Sequence, residues 1–480
     1  MRKWMKLTPQ IVTVFALLSS QVAGAISFAE VYEWEWGDTV GGSGSEYLYD
    51  VTKSSDGYAA AGISYSMDSP QWTGIGGSGD ALIVKYSKDG TLAWAHAAGG
   101  TDTDRYTSVT TVSDGYVATG WSSSTDAAEW GNAGSSDAVL VKYNFDGTIA
   151  WGKSIGGTSS DQAFSIDVAS DGLIVGLQSS STDSPDWIND GSQCYIVKYD
   201  FNGNAMWSVG TSTLNLRQVI ALSDGYLVVG DAYNPSLLWG NNGMYDAVII
   251  KYDLAGNLVW AENAGGAGFD EYKNAIEVSD GYIVSGNSDD ANAPYWGFNG
   301  GWDDAIIVKY DKSGNIVWGQ NAGGTGAEQY RALTAVSDGV IAVGWSDSTD
   351  APEWGTDGVG DAVIAKYGFD GTFIWAETFG WDYWEYDDFF GVLADGDRLV
   401  VVGESGTDTQ WWGDASVFDA DNGIIVVFSL LSDTTSPGTP DSGSVFERFG
   451  GVSMSFVAFA IGALVVSALG ATWCYINRSK

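Results

Sequence analysis

The chain has 480 residues, 45% hydrophobic and 14% aromatic, which allows a large core and excludes a disordered chain. Sixty-one acidic residues stand against 21 basic ones, a net charge of −40, and such a surface repels nucleic acid and anionic lipid. One histidine and two cysteines leave no Cys/His cluster for zinc, while 65 glycines against eight prolines suit an all-β chain with many tight turns.

Residues 1–25 read as an export signal. Arg2, Lys3 and Lys6 form a basic start, Ile11 to Leu18 a short apolar run, and Val22 to Ala25 the small residues that a signal peptidase needs. A retained anchor is the other reading, and the run is too short to span a bilayer.

From about residue 26 to 431 one unit recurs. A Lys-Tyr strand appears at Lys85, Lys142, Lys198, Lys251, Lys309 and Lys366. An Asp-Gly turn after a short β run appears at Asp56, Asp114, Asp171, Asp224, Asp280, Asp338 and Asp395. A strand-ending tryptophan appears at Trp36, Trp94, Trp151, Trp207, Trp260, Trp318 and Trp375. Each unit holds four apolar runs, two pairs joined by tight hairpins and the rest by longer connections, which predicts a propeller blade. Two markers occur seven times and the Lys-Tyr pair six times. The chain opens on an outer-type run, VYEWEW (Val31 to Trp36), and closes on a third-type run, GIIVVFSL (Gly423 to Leu430). Pairing these two runs completes a seventh blade and hides both edges. The predicted fold is an all-β seven-bladed propeller closed by its two ends.

The unit resembles the SBBP β-propeller repeat of exported and surface proteins of prokaryotes. The residues that carry the likeness are SDGLIVG (Ser170 to Gly176), STDSP ending at Pro185, STDAP ending at Pro352, the Asp-Ala…Lys-Tyr…Gly…Trp run, and GGTDTD (Gly99 to Asp104). The resemblance covers about residues 31–430; it implies the fold and is nearly silent on activity. Departures are a Trp after the STDxP turn and the missing Gly-Gly turn of the fourth blade, VGTSTLN.

Residues 432–452 form a stalk whose first part, to Ser444, is rich in Ser, Thr, Pro and Gly. Residues 453–476 form an uncharged run long enough for one transmembrane helix, and residues 477–480 a basic cytoplasmic tail. A cleaved C-terminal sorting signal is the alternative, and leaves the protein at the same surface. Five basic residues lie in the two terminal segments, so the exported part sets 16 bases against 61 acids, a net of −45. Cys194 reads as a small core residue, and Cys474 stands at the cytoplasmic end of the span. They cannot meet, so no disulfide is expected.

The chemistry is sparse. His96 is the single histidine, too little for a histidine-dependent mechanism on its own. SKDGTLAW (Ser87 to Trp94) resembles an Asp-box with the wrong spacing, and the arginines are too few for a sialidase clamp. One loop tryptophan per blade, at Trp72, Trp130, Trp187, Trp239, Trp296, Trp354 and Trp411, either stacks on sugars or wedges between blades. Seven residues before the Asp of each Asp-Gly, three consecutive blades carry Arg217, Lys273 and Arg331, where the others have Tyr49, Thr107, Phe164 and Asp388. The three cations read as an anion site or as partners of Asp270, Glu271 and Glu328. The insert FGWDYWEYDDFF (Phe379 to Phe390) offers Trp381, Tyr383 and Trp384 to a ligand or plugs the closing blade. No cofactor is expected. The acidic stretches at 101–104, 288–292 and 302–304 are calcium candidates without EF-hand spacing.

The expected function is a membrane-anchored, single-pass cell-surface module that binds or adheres without catalysis. Its partner is a surface protein or glycan, held on the long-loop face near blades four to seven. A cell-envelope structural protein is the second reading and a glycan hydrolase the third.

Overall fold

Each repeat folds into one antiparallel four-stranded sheet, and the described residues form seven such sheets from 28 strands. The computed structural model describes residues 32–72, 76–132, 134–211, 214–233, 243–290, 294–297, 300–354, 360–380, 386–406 and 421–430. The signal, stalk, span and tail expected from the sequence, and Cys474, lie outside these residues. Among the described residues no helix is long and apolar enough to cross a membrane.

The inner strands are Glu46–Ser54, Asp104–Val112, Asp161–Ala169, Leu214–Leu222, Asp270–Val278, Glu328–Val336 and Asp387–Asp395. Each packs on the next, and the last packs on the first, so the ring is closed. The closure is the one the sequence implied. Tyr32–Val40 pairs antiparallel with Asn422–Leu430, placing Tyr32 opposite Leu430 and Val40 opposite Gly423. Seven apolar clusters hold the ring together, and each lies between two neighbouring blades. One joins Ile341, Ile364 and Trp375 of blade six to Phe389, Val401 and Val426 of blade seven. At roughly 1.5–3 kcal/mol for each buried Val, Ile or Phe, these interfaces supply the cohesion that an isolated sheet lacks.

The repeated hairpin has two jobs, and both explain its spelling. The lysine of each Lys-Tyr pair is buried, and its ammonium reaches the aspartate of the same blade's Asp-Gly turn. The distances are 2.7 Å for Lys142 to Asp114, 2.8 Å for Lys251 to Asp224 and 2.9 Å for Lys309 to Asp280. The hairpin glycine lies under the preceding blade's tryptophan. A Cβ on Gly147 would come within 2.8 Å of Trp94, and one on Gly371 within 2.7 Å of Trp318. Both glycines have φ near +85° (+86° and +84°), which L side chains avoid. The indoles of Trp94 and Trp318 donate to the carbonyls of Phe145 and Phe369 in those hairpins.

The seventh blade solves the same problem with other residues. Val427 stands in register where the lysine would be. Arg398 instead bonds Glu35 of the first strand, with Nε at 2.8 Å. Trp375 has no hairpin glycine ahead of it and meets the edge of Tyr32, with ring centroids 6.2 Å apart.

Candidate binding site in the central channel

Tight hairpins close one face of the ring and the longer connections emerge on the other, as strand order requires. Each inner strand starts at the long-loop face and carries one bulged residue near that end. The bulges fall at Tyr49, Thr107, Phe164, Arg217, Lys273, Arg331 and Phe390. All seven line a cavity of 640 Å³ that runs through the inner strands. The register corrects one expectation: in blade seven the residue of this ring is Phe390. Asp395 pairs with Arg398 across the turn, whereas Ser54 pairs with Gly57 in blade one. The seventh turn is therefore displaced by two residues, and counting from Asp395 lands on Asp388.

Arg217, Lys273 and Arg331 do stand side by side on this level, and each has a carboxylate. Glu271 takes both Arg217 Nε and Lys273 Nζ, the latter at 2.6 Å. Arg217 also lies 3.7 Å from Asp231, and Arg331 Nε is 2.6 Å from Asp388. Of the partners named from sequence, Glu271 is one. Asp270 and Glu328 instead accept bonds from the loop N–H groups of Gly266 and Gly324. Burial pushes Asp231 up to about 6, with the charge of Glu271 adding to it. Burial likewise pushes Asp388 up to about 6 against the pull of Arg331. Burial also favours neutral Glu271, yet Lys273 and Arg217 outweigh it and hold that carboxyl below its usual range. Glu404, opposite Asp388, is pushed up to about 8 by burial and by the charges of Asp388 and Asp421.

The other arc of the ring is aromatic except at Thr107. Phe390 meets Tyr49 edge-on at 5.3 Å, and Arg331 lies 4.9 Å over the Phe390 ring. Arg105 sits over Tyr49 at 5.6 Å and over Trp121 at 4.8 Å. Its Nε is buried without a hydrogen-bond partner among the described residues. Arg105 does not line the cavity; it stands two residues before the bulge and backs the lining residue Tyr49, a placement only the register identifies. One step deeper, polar side chains stitch blade to blade. Asp50 accepts from Ser108 at 2.7 Å, Gln218 from the Ala275 N–H at 2.6 Å, and Asn274 from the Leu333 N–H at 3.1 Å.

The loop motifs bond one another, and residues 291–292 of the acidic stretch 288–292 lie outside the described residues. Asp126 accepts the Thr101 N–H at 2.9 Å and Ser124 bonds Asp104 at 2.7 Å; Asp183, Thr158, Ser181 and Asp161 repeat the pattern. Among the described residues no group of three or more His, Cys, Asp or Glu is placed to hold a metal ion. Of the loop tryptophans, Trp72, Trp187, Trp296 and Trp354 are buried in the inter-blade clusters and Trp130 is half-buried. The four buried tryptophans fit the wedging reading: Trp187 stacks on Tyr195 at 5.4 Å and Trp296 meets Tyr272 edge-on at 6.4 Å. Trp239 and Trp411 lie outside the described residues, as do Trp381, Tyr383 and Trp384. Asp387 and Asp388, counted in the insert, belong to the inner strand Asp387–Asp395 and are buried. His96 lies edge-on to Tyr143 at 5.6 Å, and burial lowers its basicity. Burial pushes the Cys194 thiol up to about 11, so it is unreactive at neutral pH.

No family model matches the chain. Among curated proteins, the regulatory protein FlaEY of Caulobacter vibrioides is a distant relative. It is 28% identical over 182 residues, covering 33% of this chain and 18% of that protein. The match therefore spans less than a fifth of the relative's length. Among solved structures, the WD40 β-propeller domain of Doa1 superposes with a TM-score of 0.46 at 11% identity, covering 83% of this chain and 96% of that one.

Proposed function

We propose that this propeller is an SBBP-type surface module, anchored by its C-terminal segment, that binds a ligand at the long-loop mouth of its channel without catalysis. One observation carries the reading. Residues that recur from blade to blade make the same contacts in each, whereas those that differ converge on the channel wall, as an arc of ion-paired cations and an arc that holds Phe390 and Tyr49. Such a wall suits a partner with an anionic group and an apolar face. Acid–base chemistry would need unlike groups converging on a reacting atom. Here the carboxylates nearest the cations are held in ion pairs.

The test uses cells carrying the full chain. Protease added outside should release a propeller-sized fragment, and protection of the chain while a surface marker is cut sinks the topology. Cell-envelope material captured by the full chain should be lost on the double change Arg217→Ala, Arg331→Ala and kept on Asp146→Ala in a hairpin. The reverse pattern places the ligand on the wrong face.

A further inference from the structure

A second cavity, of 380 Å³, opens on the long-loop face between blades three and four. Its origin is the irregularity noted in the sequence. Elsewhere the outer strand of one blade is followed by five or more residues before the next inner strand, as at 99–103. Between Ala205–Thr211 and Leu214–Leu222 only two residues intervene. The connection that covers this corner in the other blades is shortened here.

The same corner lacks two carboxylates that the other blades carry. Leu214 stands in register where the other inner strands begin with Glu46, Asp104, Asp161, Asp270, Glu328 and Asp387, and its partner is Ala232 where those acids face serine. Gln193 bonds through its carbonyl to the Ser179 N–H at 2.7 Å, the place of the buried Asp80, Asp137, Asp246, Asp304 and Asp361. The described residues that line the cavity are neutral: the amides of Gln162, Gln178, Gln193 and Asn215, three serines, Cys194, and Tyr233 with Tyr245. Gln178 donates to Asn215 at 3.1 Å, which fixes one amide pair. Gln162 and Gln193 have no side-chain hydrogen bond to any described residue. Tyr233 is 59% exposed and its ring lies 5.1 Å from that of Tyr245, which in turn lies 5.2 Å from Phe269.

We propose that this cleft is a binding site for a neutral saccharide. An amide presents a donor and an acceptor side by side, which matches the adjacent hydroxyls of a sugar ring. A tyrosine face takes the ring's C–H surface, and its hydroxyl adds a polar contact. The nearest carboxylates, Asp231 and Asp161, stand behind the lining and accept from Asn215 and Ser179, so neutral amides and hydroxyls face the cleft, and the volume falls in the small-ligand range of roughly 300–1,000 Å³. The proposal rests on the reading of the long-loop face as the binding face, and names the ligand class at a place separate from the channel.

The full chain, held in a detergent without a sugar headgroup, is titrated with maltotetraose, cellotetraose, mannotetraose and chitotetraose by calorimetry and saturation-transfer NMR. At least one should bind. Gln162→Ala and Tyr233→Ala should each weaken it about tenfold, and Trp302→Ala, at an exposed ring outside the cleft, should not. Gln193→Glu, which returns a carboxylate to an exposed position, should weaken binding with no change in melting temperature, and keeps the test decisive if Tyr233→Ala unfolds. Absence of binding by all four sugars, or binding that survives the two glutamine changes, overturns the proposal. So does capture of an envelope protein that is lost on changing Gln162 and Gln193, because the cleft then serves a peptide. If the sugars fail while capture by the channel remains, the saccharide site falls and the binding function stands.

Discussion

On the hairpin face six lysines reach six turn aspartates, and six glycines lie under six tryptophans. On the long-loop face the Ser-Thr-Asp motif also recurs, but blade four has a shortened connection and blade seven an insert. The channel wall beneath turns from cationic to aromatic within one circuit. Both faces come from the same repeat. The difference shows that repetition fixes packing between blades, and that departures from it mark surfaces free to specialise.

The sharpest way to break this comparison is at a hairpin glycine. Gly371→Val sets a Cβ 2.7 Å from Trp318 at φ +84°, and should destabilise the chain by about 3 kcal/mol or more. Denaturant unfolding measures this, and a loss below about 1 kcal/mol would show that the tryptophan lid is dispensable. Next is Asp114→Asn, which removes the negative charge 2.7 Å from the buried Lys142 ammonium. A loss of about 1–3 kcal/mol is expected, below that of a fully buried pair because Asp114 is 65% exposed.

A pH titration sharpens the contrast from the other side. Burial raises Asp388 and Asp231 to about 6, Glu328 and Asp270 to about 7, and Glu404 to about 8. Each folded-state value lies above the unfolded one, so these groups bind protons more tightly when folded. Their contribution is present in full below the unfolded pKa and is lost as pH rises through about 6 to 8. The melting temperature should therefore climb by a few degrees from pH 8 to pH 5. Glu404→Gln should flatten the upper part of that slope, and an unchanged slope would place the titration elsewhere. The smallest effect is at Gly131 in a long loop, where φ is +73° and nothing lies within 4 Å of a Cβ. Gly131→Asn should change stability by less than about 0.5 kcal/mol.

Blade number, hairpins and closure were legible because Lys-Tyr, Asp-Gly and Trp each recur for a packing reason that operates at every blade. The site was legible only in part. Arg217, Lys273 and Arg331 stand out as cations in an acidic chain, and their spacing put them on one level. Their carboxylates were obscure because Asp231 and Asp388 come from other strands and another blade. Phe390 was misplaced by a two-residue shift in a turn, and Asp-Gly spelling alone cannot show such a shift. Arg105 and the amide cleft depend on register and on a missing loop. The sequence displays that loop as a gap without saying what the gap uncovers.

Tyr32 lies beside Leu430 in one ladder, although the two stand at opposite ends of the propeller's sequence. A polypeptide delivered from its N-terminus must hold its first strand in waiting until its last arrives. The ring thus acts as a length check on its own synthesis. A copy broken anywhere before Asn422 has no third strand in the seventh blade. It leaves Tyr32–Val40 as an open edge, ready to pair with a stranger. Long-range pairing of this kind is slow to form, so incomplete and complete copies remain distinguishable for as long as the last strand is outstanding.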